Sequence, residues 1–160
     1  MHVYRIASSR HIGDLSGEGA RLHGGRWNHR GTAVIYTAET RSLATVELLV
    51  HVALPFVPTD LKIATIEIPD EAPPEEVDLS LLPPNWRAFP PPPELADLGT
   101  SWVRSGRSLL LRVPSAVVAH DYNILLNPAH PHMARVVVAE VEDLSLDRRL
   151  ARPKRQRPQS

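Results

Sequence analysis

The alternation of hydrophobic and polar residues divides the chain into short strands separated by turn-rich segments. The clearest strand is LKIATIEI, residues 61–68, which alternates through its length and is followed by Pro69. Other segments are rich in β-branched and aromatic residues, which favour strands. The predicted strands are residues 3–8, 32–38, 61–68, 108–118 and 134–144.

Two segments carry a helical pattern instead. One runs from about Thr40 to His51, and the other spans residues 94–106 and stops at Gly106. Together with the strands, they predict an α+β protein, a single compact domain built mainly of sheet with a few helices.

The remaining segments are predicted to be connections. The proline-rich stretch 69–93 predicts a long extended segment, and we expect it to lie over one domain because neither flank is large enough to fold alone. DYNILLNPAHPH, residues 121–132, predicts a turn-rich loop between the last two strands. A polar loop that contains glycines follows the first strand to about Gly25.

Composition narrows the classes of function. The 160 residues suffice for one domain with a core, and the absence of cysteine excludes disulfides, cysteine–zinc sites, iron–sulfur clusters and thiol nucleophiles. No apolar run approaches the ~20 residues that cross a bilayer, and the N-terminus lacks the apolar region of a secretory signal. These features predict a cytoplasmic protein without membrane contact.

The net charge of zero hides an uneven distribution. Residues 148–157 contain six basic residues and no acids, which leaves 12 basic against 18 acidic residues, or −6, on residues 1–147. The basic tail, residues 147–160, is predicted to be disordered, and nucleic-acid binding is the alternative for it. Truncation after Leu146 would separate a function of the tail from a function of the domain.

A carboxylate stands near the apolar side of the first predicted helix. At ~100° per residue, Leu43, Val46 and Val50 fall on one arc, and Leu54 continues it if the helix extends that far. Glu47 falls about 40° from Leu43 and therefore beside this arc. Since a buried carboxylate needs a partner, Glu47 either lines a cavity or forms a structural salt bridge, unless it points to water.

The turn GGRWNHRG, residues 24–31, is the second candidate element. Its glycines permit close approach of a ligand, and Arg26 offers a planar fork suited to phosphate. The alternative is a β-turn with a surface arginine and a core Trp27. Tyr36, in the strand that follows, either stacks on a flat ligand or is a half-buried strand tyrosine.

The segment after residue 112 contains further polar candidates. Ser115 follows a proline at the end of an apolar strand, and without a GxSxG motif it predicts a hydrogen-bonding or turn serine rather than a nucleophile. Asn123 and Asn127 lie in the predicted loop. His130 and His132 lack the acidic neighbours or HExxH spacing of a metal site, so we expect no metal. Neither a P-loop nor a GxGxxG motif occurs in the chain.

Two blocks resemble a known family. GGRWNHRGTAVIYTAETRSLATVELLVH (24–51) and RVPSAVVAHDYNILLNPAHP (112–131) resemble the two signatures of the RES domain, named for its arginine, glutamate and serine. The resemblance covers residues 3 to about 145, so we assign residues 1–146 to the domain. It departs from the family at His29 and Arg30, where many members carry proline and lysine.

The resemblance implies a toxin that consumes NAD on a fold similar to that of ADP-ribosyltransferases, with NAD as substrate rather than cofactor. It implies cleavage of the nicotinamide–ribose bond by hydrolysis or phosphorolysis, which depletes cellular NAD. Transfer of ADP-ribose to a protein and an inactive binding protein are the alternatives. The implied catalytic residues are Arg26, Tyr36, Glu47 and Ser115, and the implied NAD-binding residues are Arg5, Arg26, Tyr36, Ser115 and Asn127. Of these, Ser115 is expected to hydrogen-bond the nicotinamide end, and Asn127 is expected mainly to brace the loop that carries the site.

A toxin of this kind implies an antitoxin. The family's antitoxins resemble Xre-type helix-turn-helix proteins that block the active-site cleft, so we expect DNA contact to occur only through that partner. The acidic body of the chain favours a basic partner. A homodimer is a common default for small proteins, and no residue here requires one.

Overall fold

The computed structural model describes residues 1–151, which form a seven-stranded sheet with three α-helices. The strand order across the sheet is β4-β5-β6-β2-β1-β3-β7. All neighbours are antiparallel except β4 and β5. The elements are β1 (His2–Ser8), α1 (Glu18–His23), β2 (Ile35–Ala38), α2 (Arg41–His51), β3 (Leu61–Glu67), β4 (Glu75–Glu76), α3 (Pro93–Ser105), β5 (Leu110–Pro114), β6 (Tyr122–Leu126) and β7 (Val137–Asp143).

The predicted class, a single α+β domain with a large sheet, is confirmed. The chain forms strands at the five predicted segments and helices at the two predicted places. Helix α3 ends at Ser105, and the next residue, Gly106, has a φ of 61° and is the left-handed C-cap expected there. The short α1 and the two-residue β4 were not predicted. Part of the predicted basic tail, residues 148–151, forms a 3₁₀ turn, and residues 152–160 lie outside the described residues.

One prediction is wrong in a way that matters for the site. Residues 121–132 were expected to form a loop, but Tyr122–Leu126 form β6, between β5 and β2. Ile124, Leu125 and Leu126 are all buried, because this strand has protein on both faces. Such a strand shows a continuous apolar run rather than alternation. Here the run is only residues 124–126, which is too short to predict a strand among the turn-forming residues on either side.

The predicted apolar arc of α2 is correct at Leu43 but wrong at Val46 and Val50. Thr40 caps the helix by accepting a hydrogen bond from the Leu43 backbone, as its position before the helix suggests. However, α2 buries Leu43 and Ala44, whereas Val46 is 37% and Val50 58% exposed. The inward face therefore extends from Leu43 toward the Glu47 side, and Leu54 lies in a 3₁₀ turn beyond the helix.

The sheet separates two hydrophobic clusters. Because side chains alternate along a strand, Ile124 and Leu126 join one cluster while Leu125 joins the other. The second cluster contains Trp27 and also Trp102 of α3, and the proline-rich segment packs against it through Val77, Leu82 and Trp86. No helix among residues 1–151 is long and apolar enough to span a membrane.

Helix α3 packs tightly on the turn that contains Arg26. A Cβ atom added at Gly99 would lie 1.8 Å from the Trp27 carbonyl oxygen, so this approach requires glycine. The adjacent Thr100 hydroxyl accepts a hydrogen bond from the His29 backbone at 3.0 Å. The position of the turn therefore depends on α3.

We expect Gly99→Ala to destabilise the protein by about 1–3 kcal/mol or more, since backbone must move to relieve the overlap. Urea unfolding followed by tryptophan fluorescence measures the effect. Gly19→Ala is the matched control, because nothing lies within 4 Å of a Cβ added there. Equal stability of the two variants would contradict this packing.

Candidate active site

A cavity of ≈ 820 Å³ opens beside the sheet, within the size range of small-molecule sites. Its walls come from β1, α1, the turn 24–31, β2, α2, the proline-rich segment and the region from the end of β5 to β6. It brings together four of the residues predicted from the sequence. These are Arg5, Arg26, Tyr36 and Glu47.

Glu47 lies at the cavity wall with one carboxylate oxygen fixed. Its Oε1 accepts hydrogen bonds from Ser115 Oγ at 2.8 Å and from Asn123 Nδ2 at 2.9 Å. Within residues 1–151, no hydrogen bond reaches Oε2 and no ion pair includes Glu47. The half-buried carboxylate is therefore oriented by neutral donors, and one oxygen is left for a ligand.

Ser115 positions Glu47 instead of reaching the cavity. Its side chain follows β5, is 1% exposed, and does not belong to the cavity wall. The Oγ atom accepts hydrogen bonds from the backbone N–H groups of Val117 (3.1 Å) and Val118 (3.0 Å), so its own hydrogen is directed to Glu47. The expected direct contact of Ser115 with the nicotinamide end finds no support in this position.

Asn123, which the sequence placed in a loop with no assigned role, is a residue of the site. It lies in β6 opposite Ala38 of β2 and Val113 of β5, and its side chain lines the cavity. Once β6 is known to be a strand, the signal is a half-buried asparagine, a residue type that strands disfavour. Assigning the segment to a loop removed that signal.

Arg26 is held on one side and open on the other. Its Nη1 donates to the carbonyl oxygens of Trp86 (2.8 Å) and Ala88 (3.0 Å) in the proline-rich segment. Partial burial lowers the pKa of the guanidinium, and the nearby charge of Glu47 opposes that shift. Because arginine stays protonated in proteins, Arg26 presents a fixed positive charge to the cavity.

Tyr36 fastens the turn that contains Arg26. Its hydroxyl accepts a hydrogen bond from the Trp27 backbone at 3.0 Å and donates one to Asn28 Oδ1 at 2.7 Å. A Cβ at Gly25 would lie 2.7 Å from this hydroxyl, which explains the glycine. Burial raises the pKa of Tyr36, so the phenol is neutral, and its ring lines the cavity.

Arg5 adds a second guanidinium to the cavity. Its Nη1 donates to the backbone carbonyl of Asp14, and burial lowers its pKa. Of the nearby acids, Glu18 pairs with Arg21, and Asp14 accepts a hydrogen bond from the Ser16 backbone. Arg5 and Arg26 thus face the same space as the carboxylate of Glu47, and Arg87, Asp14 and Glu18 also line the cavity.

Asn127 lies outside this group. It is 1% exposed and does not line the cavity. Its amide donates to the Val103 carbonyl at 3.1 Å, and its oxygen accepts from the Ala129 backbone at 3.0 Å. Asn127 therefore joins α3 to the loop after β6, a position that fits the bracing role expected for it, whereas its contact with NAD stays a prediction.

Similarity to known proteins covers nearly the whole chain. The model of the RES domain family matches residues 2–148. The "Prs ADP-ribosylating toxin" of Sphingobium sp. (strain YBL2) is 39% identical over 141 residues, which cover 87% of this chain and 88% of that protein. A "Toxin Res" of Yersinia enterocolitica is 39% identical over 151 residues, 91% of this chain and 95% of that protein.

A solved structure has a similar fold. A chain in the crystal structure of the M. tuberculosis MbcT–MbcA toxin–antitoxin complex superposes with a TM-score of 0.65 and 20% identity. The match covers 90% of this chain and 84% of that chain.

We predict that Tyr36→Phe lowers the free energy of unfolding by about 1–3 kcal/mol, since it leaves two largely buried partners without their hydrogen bonds. Chemical denaturation measures the change. Tyr122→Phe is the control, because its ring packs under the Arg112 guanidinium and its hydroxyl makes no hydrogen bond in the described part of the chain. Similar losses in both variants would show that the Tyr36 hydroxyl does not fasten the turn.

Proposed function

This chain belongs to the RES-domain family of toxins, and we propose that it cleaves the bond between nicotinamide and ribose in NAD. NAD is the substrate of this reaction rather than a resident cofactor. Water or phosphate is the proposed acceptor, so that the reaction depletes the cellular NAD pool.

The observation that carries the proposal is the orientation of Glu47. Departure of nicotinamide leaves positive charge on the ribose, as in the cleavage of glycosides. A carboxylate that is already oriented stabilises this charge without having to reorganise during the reaction. Oε1 is held by Ser115 and Asn123, and Oε2 is available to the ribose.

The arginines suit the rest of the dinucleotide. A planar guanidinium binds phosphate oxygens through parallel hydrogen bonds, and both Arg26 and Arg5 line the cavity. We assign the pyrophosphate to Arg26, with Arg5 beside it. The ring of Tyr36 then packs against the nicotinamide riboside, while Ser115 and Asn123 act as positioning residues through Glu47.

Transfer of ADP-ribose to a protein is the second candidate. The Sphingobium relative, 39% identical, is named as an ADP-ribosylating toxin. Both reactions break the same bond and use Glu47 in the same way, so they differ only in the acceptor. An inactive binding protein is disfavoured, because Arg26, Tyr36 and Glu47 share one cavity and Ser115 contacts Glu47.

An antitoxin of the Xre type is the proposed partner. The structure with the similar fold is a toxin–antitoxin complex, which supports a partner of this kind. The formal charge of −6 on residues 1–147 complements a basic, DNA-binding protein. In this proposal the complex contacts DNA through the antitoxin.

We expect Glu47→Gln to lower kcat for nicotinamide release from NAD by about 10²–10³-fold, the usual effect of losing a main electrostatic group. Chromatography of the products in phosphate-free and phosphate buffers measures the rate and distinguishes ADP-ribose from its phosphorylated form. Glu140→Gln, an exposed acid on β7, is the matched control. When expressed in cells, Glu47→Gln is expected no longer to inhibit growth, whereas Glu140→Gln is expected to inhibit it as the wild type does.

Full turnover by Glu47→Gln would contradict the assignment of Glu47. If the folded wild type released nicotinamide only when other proteins were present, and these became labelled with ADP-ribose, the second candidate would replace the first. Folded wild-type protein that neither cleaves NAD nor labels proteins would point to an inactive relative.

A further inference from the structure

One aromatic residue of the cavity wall has most of its surface exposed. Four aromatic residues line the cavity: Tyr4, Trp27, Tyr36 and Phe89. Trp27 is 2% exposed, and Tyr4 and Tyr36 are half-buried, whereas Phe89 is 81% exposed. Phe89 therefore has a free ring face at the cavity that the proposed reaction does not use.

The segment that contains Phe89 is anchored rather than loose. Trp86 packs against the second hydrophobic cluster. Backbone hydrogen bonds from Trp86 to Pro83 (3.0 Å) and from Ala88 to Asn85 (2.9 Å) form two consecutive turns just before Phe89. The ring is thus presented by a fixed backbone, which lowers the entropic cost of using it for binding.

The same segment is tied to Arg26. The carbonyl oxygens of Trp86 and Ala88 accept hydrogen bonds from the Arg26 guanidinium, and Phe89 is the next residue in the chain. Whatever anion binds to Arg26 therefore lies close to Phe89. In NAD the pyrophosphate joins nicotinamide riboside to adenosine. If the pyrophosphate binds at Arg26 and the nicotinamide riboside lies at Glu47, the adenosine lies on the other side of Arg26, within reach of Phe89.

We propose that Phe89 is the stacking surface for the adenine base of NAD, and that the proline-rich segment selects dinucleotides over smaller nicotinamide compounds. This inference rests on the proposed function, since it assigns the second half of the same substrate. Every base has a flat face that stacks favourably on an aromatic ring, and losing the ring weakens binding by about tenfold or more.

The test compares two substrates that share the reacting bond. Nicotinamide mononucleotide contains the nicotinamide riboside and one phosphate but no adenine. We expect Phe89→Ala to raise KM for NAD about tenfold with kcat nearly constant, and to change KM for nicotinamide mononucleotide by less than about twofold. Phe89→Tyr, which keeps the ring, is expected to retain the KM of the wild type for NAD.

The chain supplies a matched control. It contains only two phenylalanines, and Phe56 is 79% exposed but does not line the cavity. Phe56→Ala removes the same group from a similarly exposed position, so we expect its KM for NAD to stay unchanged. An unchanged KM in Phe89→Ala, or equal changes for the two substrates, would overturn the proposal.

Binding of ADP-ribose, measured by titration calorimetry, separates this inference from the reaction. If NAD is not cleaved but ADP-ribose binds about tenfold more weakly to Phe89→Ala than to the wild type, the adenine site stands and the reaction is wrong. If the wild type cleaves NAD, and Phe89→Ala has the wild-type KM for NAD and the wild-type affinity for ADP-ribose, the reaction stands and the adenine site is wrong. A wild type that neither cleaves NAD nor binds ADP-ribose overturns both.

Discussion

The two hydrogen bonds to Glu47 Oε1 are the contacts on which the site depends. Burying part of a carboxylate is unfavourable unless donors replace the lost water, and Ser115 and Asn123 supply them. Ser115 directly follows β5 and Asn123 lies in the adjacent β6, while Glu47 comes from α2, so sheet and helix must both be in place before the carboxylate is oriented. Because both hydrogen bonds go to Oε1, Oε2 is the oxygen that can interact with a positive charge on a ligand.

A second constraint fixes Arg26 relative to that carboxylate. The turn is fastened from within by Tyr36 and Asn28, and from outside by α3 through Gly99. The guanidinium is then held by carbonyl groups of the proline-rich segment. The proline-rich segment, which the sequence predicts to lie over the domain, is therefore also part of the cavity wall.

Much of the fold was predictable, because β3 alternates along its length and Thr40 and Gly106 are clear helix caps. β6 was missed because a strand buried on both faces shows no alternation. That error hid Asn123, whose role depends on its register with Ala38 and Val113. The role of Ser115 in orienting Glu47 could not be predicted from the sequence either, since it depends on the hydrogen-bond partners that its hydroxyl has in the folded chain.

The most direct test of the account is a crystal structure of the Glu47→Gln variant with intact NAD. We expect the ribose carbon bonded to nicotinamide to lie beside residue 47, with Ser115 and Asn123 behind that residue and the pyrophosphate at Arg26. NAD bound elsewhere, or in this cavity with its nicotinamide riboside away from residue 47, would contradict the central role assigned to the oriented carboxylate.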